Sequence, residues 1–123
     1  MRYPLFPLFQ NLDLLSDGRH PVVYFLGLRF EIEGKVIAFS GDTEWTDALL
    51  PIADGADLFI CECYELARPT TGHMSWNHLQ ARLPLLRARR IMITHMSASV
   101  LARLDEVRGS GVLVAEDGLV VEV

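Results

Sequence analysis

Apolar strand-like segments alternate with helix-like segments through most of this 123-residue chain, and that alternation limits the possible folds more than any other feature. Residues 36–40 and 57–62 carry apolar side chains on both faces, as buried strands do. A helical spacing of apolar residues follows each of them, and a further apolar strand is predicted over residues 91–94. Strands and helices in this order predict an α/β domain with a sheet covered by helices.

The remaining elements are predicted from periodicity and turn residues. Residues 26–33 alternate between apolar and polar side chains, which predicts a half-buried strand. A tight turn at 33–35 would connect it to the strand at 36–40 as a hairpin. Helices are predicted directly after Asp42, with Thr43 as the N-cap candidate, over residues 76–86, and over residues 97–104. A second hairpin is predicted between residues 112–114 and 119–123.

The composition is that of one globular domain spanning residues 1–123, because half of the residues are hydrophobic. The formal net charge of −5 argues against a broad basic surface, so nucleic acid is expected only as a substrate. Cys61 and Cys63 are expected to be reduced and buried in a cytoplasmic protein. Pro4 and Pro7 interrupt the apolar N-terminal stretch, which is shorter than the roughly 18 residues of a membrane span, so no membrane partner is expected.

Polar side chains stand at the ends of three predicted strands. Asp42 follows the second strand, Glu62 ends the third, and His95 follows the fourth. Strand ends that lead into helices lie along one edge of an α/β sheet, so these side chains are expected to converge. His73 and His20 complete the candidate set. Imidazole nitrogens and carboxylate oxygens are ordinary ligands of zinc, and one carboxylate can bridge two ions.

Each candidate also has a simpler interpretation. Asp42, between glycine and threonine, has the sequence context of a turn residue or a helix cap. His95 alone is compatible with a hydrogen-bonded core histidine, and Glu62 with a solvated strand end. His78, inside an amphipathic helix, is interpreted as a surface residue. Spacing alone leaves these alternatives open, because the candidates are scattered along the chain.

Two longer segments, "VIAFSGDTEWTDALLPIADGADLFICECY" and "GHMSWNHLQARLPLLRARRIMITHMS", carry a resemblance to a known family. They resemble the C-terminal half of metallo-β-lactamase-fold hydrolases, in the branch of the transfer RNA 3′-processing endonuclease tRNase Z and related phosphodiesterases. The similarity covers roughly residues 20–123 and leaves residues 1–19 outside. It implies half of an αβ/βα sandwich, with a mixed sheet and helices on one face.

The resemblance also implies roles for individual residues. Asp42 matches an aspartate that bridges two zinc ions, and His95 matches the last histidine ligand. His20 resembles a third metal ligand. His73 matches a histidine that contacts the scissile phosphate and donates a proton, and Glu62 matches the glutamate that orients it. The implied cofactor is a pair of zinc ions, with manganese or iron as alternatives.

One hallmark of that family has no counterpart in this chain. The motif His-x-His-x-Asp-His supplies most of the metal ligands, yet no two of the four histidines here are separated by a single residue. Each ion would therefore lack ligands unless another polypeptide supplied them. Half a sandwich would also expose an apolar sheet face, so the expected partner is a second copy of the chain or a chain that supplies the N-terminal half.

Two functions of different classes follow. The first is a metal-dependent hydrolase that cleaves phosphodiester or related ester bonds. The second is a non-catalytic half-domain that acts in oligomerisation or interaction. A nucleotide-binding α/β domain is a weaker third reading, because the chain has no glycine-rich phosphate loop.

Overall fold

A six-stranded mixed sheet is the framework of the computed structural model, which describes residues 5–11, 22–67 and 71–123. The strands lie in sequential order across the sheet: β1 (Leu5–Asn11), β2 (Val22–Ile32), β3 (Lys35–Phe39), β4 (Leu58–Glu62), β5 (Ile91–Thr94) and β6 (Leu113–Val114). β1, β2 and β3 pair antiparallel, whereas β3 to β6 pair parallel. The α/β prediction and the hairpin at residues 33–35 are confirmed.

Helices connect the parallel strands. They are α1 (Leu49–Ala53) after β3, α2 (Trp76–Arg82) after β4, and α3 (Ala98–Leu101) with α4 (Leu104–Gly109) after β5. A 3₁₀ turn, Leu83–Leu85, extends α2 and contains a proline. The buried side chains of these helices share one hydrophobic core with one face of the sheet, in which Phe59, Cys61 and Ile93 are fully buried. The helices therefore cover one face, as predicted.

Three predicted elements differ from the observed ones. The first helix begins at Leu49 and not directly after Asp42, so Thr43 does not cap it. Instead, the buried main-chain N–H of Thr43 donates to the Glu62 side chain. The helix predicted over residues 97–104 is divided into α3 and α4. The C-terminal hairpin prediction is wrong, because β6 pairs parallel with β5 and residues 119–123 are in no strand.

The second sheet face is apolar and faces away from the helix-covered core. Strand register places eight side chains on it: Leu28, Phe30, Ile37, Phe39, Leu58, Ile60, Met92 and Leu113. Six of these are partly exposed, and only Leu58 and Met92 are buried. We call these eight residues the second face.

This arrangement reverses the expected burial of β2. Of residues 27–32, Gly27, on the polar side, is the buried one, and Arg29 donates to the carbonyl oxygens of Ile52 and Asp54 at the end of α1. Leu28 is only partly buried, and Ile32 is 42% exposed. Alternation predicted the strand correctly, but the polar side faces the helices because an arginine can cap helix carbonyls there.

Both cysteines are free and buried, as predicted. Among the described residues, no helix has the length and apolar character needed to cross a bilayer.

Candidate metal centre

Three parallel strands end at the same edge of the sheet and bring the candidate residues together there. Asp42 follows β3, Glu62 is the last residue of β4, and His95 directly follows β5. His73 lies in the loop before α2, which a bridge between Glu65 and Ser75 holds near the end of β4. The predicted convergence of Asp42, Glu62 and His95 is therefore observed, because carboxyl ends of parallel strands share one edge, and His73 joins them there.

Asp42, His73 and His95 form a compact group of possible metal ligands. One ligand atom from each lies within 4.8 Å of the other two. The closest measured approach is 3.6 Å between Asp42 Oδ1 and His95 Nδ1. Their side chains are 54%, 26% and 47% exposed, respectively, so the group is open to solvent. An ion or a substrate can therefore reach it without any rearrangement of the fold.

Glu62 is fully buried beside this group and is surrounded by donors. Its Oε1 accepts hydrogen bonds from the main-chain N–H groups of Thr43 at 3.0 Å and Met74 at 2.9 Å. Its Oε2 accepts from the N–H of Tyr64 at 3.2 Å. His73 Nδ1 lies 3.2 Å from Oε1. Glu62 is thus no solvated strand end, because it joins three segments of the chain and orients the imidazole of His73.

Burial raises the pKa of Glu62, while the N–H groups of Met74 and Thr43 and the nearby His73 act in the opposite direction. A buried carboxylate is costly unless donors surround it, and here they do. Burial is also the main reason why the pKa of Cys63, the next residue, is raised to about 12. Cys63 therefore stays a thiol at neutral pH and is no metal ligand in this state.

The main chain is strained where it presents His95. His95 has a φ of 56°, in the left-handed region that residues with a Cβ seldom occupy. Gly41, just before Asp42, has a φ of 64°, which a glycine adopts without a steric penalty. A strained non-glycine residue at a strand end is a common feature of functional sites.

Two contributors to this centre were not identified from the sequence. The ring of Tyr64 lies 5.1 Å from the ring of His73 and 5.2 Å from that of His95, measured between centroids. Ser40 is buried, and its hydroxyl accepts a hydrogen bond from the main-chain N–H of Glu62. Ser40 lies two residues before Asp42 and Tyr64 two residues after Glu62, and this proximity at strand ends was the available signal.

The three side chains fit a divalent ion of the zinc type. Two ligand atoms on one tetrahedral zinc stand about 3.3–3.5 Å apart, given bonds of about 2.0–2.2 Å. The 3.6 Å separation between Asp42 and His95 is close to this value. Glu62 contacts Nδ1 of His73, which leaves Nε2 to bind, and a carboxylate behind a ligating histidine is usual at metal sites. One carboxylate oxygen and two imidazoles form a chemically suitable donor set.

His20 lies outside the described residues. His78, interpreted above as a surface residue, is exposed on α2.

Comparisons with known proteins identify the family. A family model described as "Beta-lactamase superfamily domain" matches residues 9–96. The chain belongs to the beta-lactamase superfamily. A relative, "Uncharacterized protein ML1173" of Mycobacterium leprae (strain TN), is 32% identical over 81 residues, which is 63% of this chain and 28% of the relative.

Two solved structures have the same fold as this superfamily chain. The metallo-beta-lactamase fold protein YhfI from Bacillus subtilis matches 97% of this chain and 50% of its own, with a TM-score of 0.68 and 21% identity. Human tRNase Z, short form, matches 82% of this chain and 39% of its own, with a TM-score of 0.62 and 24% identity. The fold is therefore the metallo-β-lactamase fold, and the chain spans half or less of the length of these relatives.

Proposed function

We propose that this chain forms part of a metal-dependent hydrolase that cleaves phosphodiester or related ester bonds. The observation that carries the proposal is the convergence of Asp42, His73 and His95 within 4.8 Å at one sheet edge, backed by the buried Glu62. Membership of the superfamily and a fold shared with human tRNase Z support this reaction class.

In this proposal, Asp42 and His95 hold the metal, which is zinc, and His20 adds a further ligand. A divalent ion in such a site provides a nucleophile near neutral pH and stabilises negative charge on the phosphoryl group. His73 acts as the imidazolium: it donates the Nε2 proton to the leaving oxygen and becomes neutral, while Glu62 accepts from Nδ1–H and so fixes the ring orientation.

Zinc analysis of the purified protein tests the metal site. We expect bound zinc in the wild-type chain and its loss in Asp42→Ala and His95→Ala. Asp117→Ala and His78→Ala are matched controls, because both residues are exposed and neither belongs to the group of three. A wild-type chain that binds no more zinc than Asp42→Ala would overturn the proposal.

His73→Ala separates two roles of this histidine. If His73 donates a proton, the variant keeps its zinc but hydrolyses an alkyl phosphodiester, whose alkoxide leaving group needs protonation, about 10²–10⁴-fold more slowly, the usual contribution of a general acid. If the variant loses its zinc instead, His73 is a ligand and the proton-donor role is refuted.

We also propose that a further β-layer covers the second face and supplies the remaining ligands. The second face is apolar and partly exposed, and Glu62, two positions after Ile60 on β4, lies on the same side of its strand. A layer packed there would border the metal centre. The layer comes from a second copy of this chain or from a chain equivalent to the remaining half of the relatives. If the layer is a second copy, Phe39→Asp should abolish dimerisation, as measured by light scattering. If it is another chain, Phe39→Asp should abolish co-purification with that chain.

The second face also favours a second candidate function, that of an interaction module without catalysis. Apolar surface of this kind is typical of protein interfaces. In that case the protein would associate through the second face, and loss of Asp42 would leave the association unchanged. Zinc-dependent hydrolysis that disappears in Asp42→Ala would exclude this candidate.

A further inference from the structure

Tyr64 occupies a central position in the candidate metal centre, although its side chain has no place in the proposed chemistry. Its ring forms a nearly equilateral triangle with the rings of His73 and His95, with centroid separations of 5.1, 5.2 and 5.3 Å. All three rings are tilted relative to one another, by 33° to 55°. Tilted rings at such distances attract each other, so each ring restricts the orientation of the other two.

The main chain of Tyr64 connects the same two histidines by a second route. Its N–H donates to Oε2 of Glu62, the residue that contacts His73. Its carbonyl oxygen accepts from the N–H of Ser97 at 2.9 Å, and Ser97 lies two residues after His95. A shift of Tyr64 would therefore move the supports of both imidazoles together.

Alternation along the end of β4 explains why Tyr64 points toward the centre. Cys61 and Cys63 belong to the helix-side core, so Glu62 and Tyr64 project from the opposite side of the chain. Tyr64 is only partly buried, whereas Glu62 is fully buried. The carboxylate thus supports His73 from the interior, and the tyrosine ring packs on both histidines closer to solvent.

His95 depends on this packing more than His73 does. His73 is held by Glu62, but the His95 side chain is 47% exposed and its backbone is in the left-handed region. Its Nδ1 lies 3.6 Å from Asp42, which is itself a candidate ligand. The ring of Tyr64 is a contact that can orient His95 without competing for a metal.

We infer that Tyr64 is a positioning residue, whose aromatic ring sets the separation and tilt of His73 and His95 and thereby prepares them for metal binding and for catalysis. The inference rests on the proposed function for its catalytic consequence, but the geometry of the three rings can be tested without any metal.

The experiment compares Tyr64→Phe, which keeps the ring, with Tyr64→Leu, which removes it and keeps the main-chain hydrogen bonds. His78→Leu is the matched control, because it removes an exposed aromatic ring on α2, outside the group of three candidate ligands. Thermal unfolding of each variant identifies any general loss of stability. Zinc affinity is measured by competition with a chromogenic chelator, and the histidine ring protons are followed by NMR in metal-free protein.

We expect Tyr64→Leu to bind zinc about tenfold more weakly, at the low end of the effect of groups that support metal ligands. Tyr64→Phe and His78→Leu should stay within about twofold of the zinc affinity of wild type, because neither removes a ring that packs on His73 and His95. In metal-free protein, Tyr64→Leu should shift the ring-proton resonances of both histidines, because they lose a neighbouring ring current, and Tyr64→Phe should restore them. Zinc affinity in Tyr64→Leu within twofold of wild type would overturn the inference.

If the wild-type chain binds no zinc, the proposed function fails and the NMR comparison alone decides about Tyr64. Unchanged histidine resonances in Tyr64→Leu would then refute its positioning role, and shifted resonances that Tyr64→Phe restores would support it.

Discussion

Removal of the buried carboxylate of Glu62 should destabilise the whole domain and not only the metal centre. In Glu62→Ala, the N–H groups of Thr43, Tyr64 and Met74 lose their acceptor at once. A buried N–H without a partner costs about 1–3 kcal/mol. The expected loss is about 3–6 kcal/mol, after allowance for water that enters the space left by the side chain. Domains of this size are stable by only about 5–15 kcal/mol, so this variant should be close to unfolding.

Glu62→Gln should be much milder, because the amide oxygen can still accept from Thr43 and Met74. The amide NH₂ then faces the N–H of Tyr64, so neither of these two donors has an acceptor there. Because a neutral amide is cheaper to bury than a carboxylate, part of this cost is recovered. We expect a loss of about 1–2 kcal/mol.

Urea unfolding followed by circular dichroism measures both differences. Glu116→Gln is the control, since Glu116 is exposed and pairs only loosely with Arg108, at 3.9 Å. The control should change the free energy of unfolding by less than about 0.5 kcal/mol. The reasoning is refuted if Glu62→Ala costs no more than the control, or if Glu62→Gln and Glu62→Ala are equally destabilised.

Three further predictions concern other parts of the fold. The pKa of Asp57 is lowered in the folded protein, first by the hydrogen bond from the N–H of Val36. The ionised Asp57 side chain therefore stabilises the fold fully above about pH 3.8, and this stabilisation is lost as the pH falls through the lower pKa of the folded state. Asp57→Asn should therefore be less stable than wild type at pH 7 and match it near pH 2 in chemical denaturation. Gly27→Ala would place a Cβ against Ile52 Cδ1 and lower the free energy of unfolding, measured in urea, by about 1–3 kcal/mol. Adding Ile52→Val, which removes Cδ1, should restore most of this stability, and a double variant no more stable than Gly27→Ala would contradict the predicted clash. Cys63, with a pKa of about 12, should resist iodoacetamide at pH 8 until the protein unfolds. Rapid alkylation of Cys63 in the native protein, detected by mass spectrometry, would contradict its burial.

The strands were predicted well because their signals are local. The apolar runs that became β3, β4 and β5 lie within one residue of their observed bounds. The C-terminal hairpin was predicted from a turn signal at Gly118, and the turn does form, but residues 119–123 do not pair. A turn brings two segments near each other, whereas pairing also depends on which strand edge is available, and β6 pairs with β5 instead.

The convergence of candidate residues at the strand ends was predicted, but the contacts that support them were not. Asp42, Glu62, His73 and His95 were all identified from strand ends and family resemblance. Tyr64 was missed because packing among rings from distant positions leaves no periodic signal in the sequence. Thr43 was interpreted as a helix cap, since a threonine after an aspartate suits that role locally; its actual acceptor, Glu62, is 19 residues away.

The sequence by itself determined the order of strands and helices from β2 to β5, the fold family and the residue types available for a metal, because these depend on local periodicity and on short motifs. Only the tertiary structure decided which side of β2 faces the helices, that Glu62 is a buried acceptor, and that Tyr64 packs on both histidines. These outcomes depend on contacts between residues far apart in the chain, where desolvation and the available hydrogen-bond partners outweigh local preference.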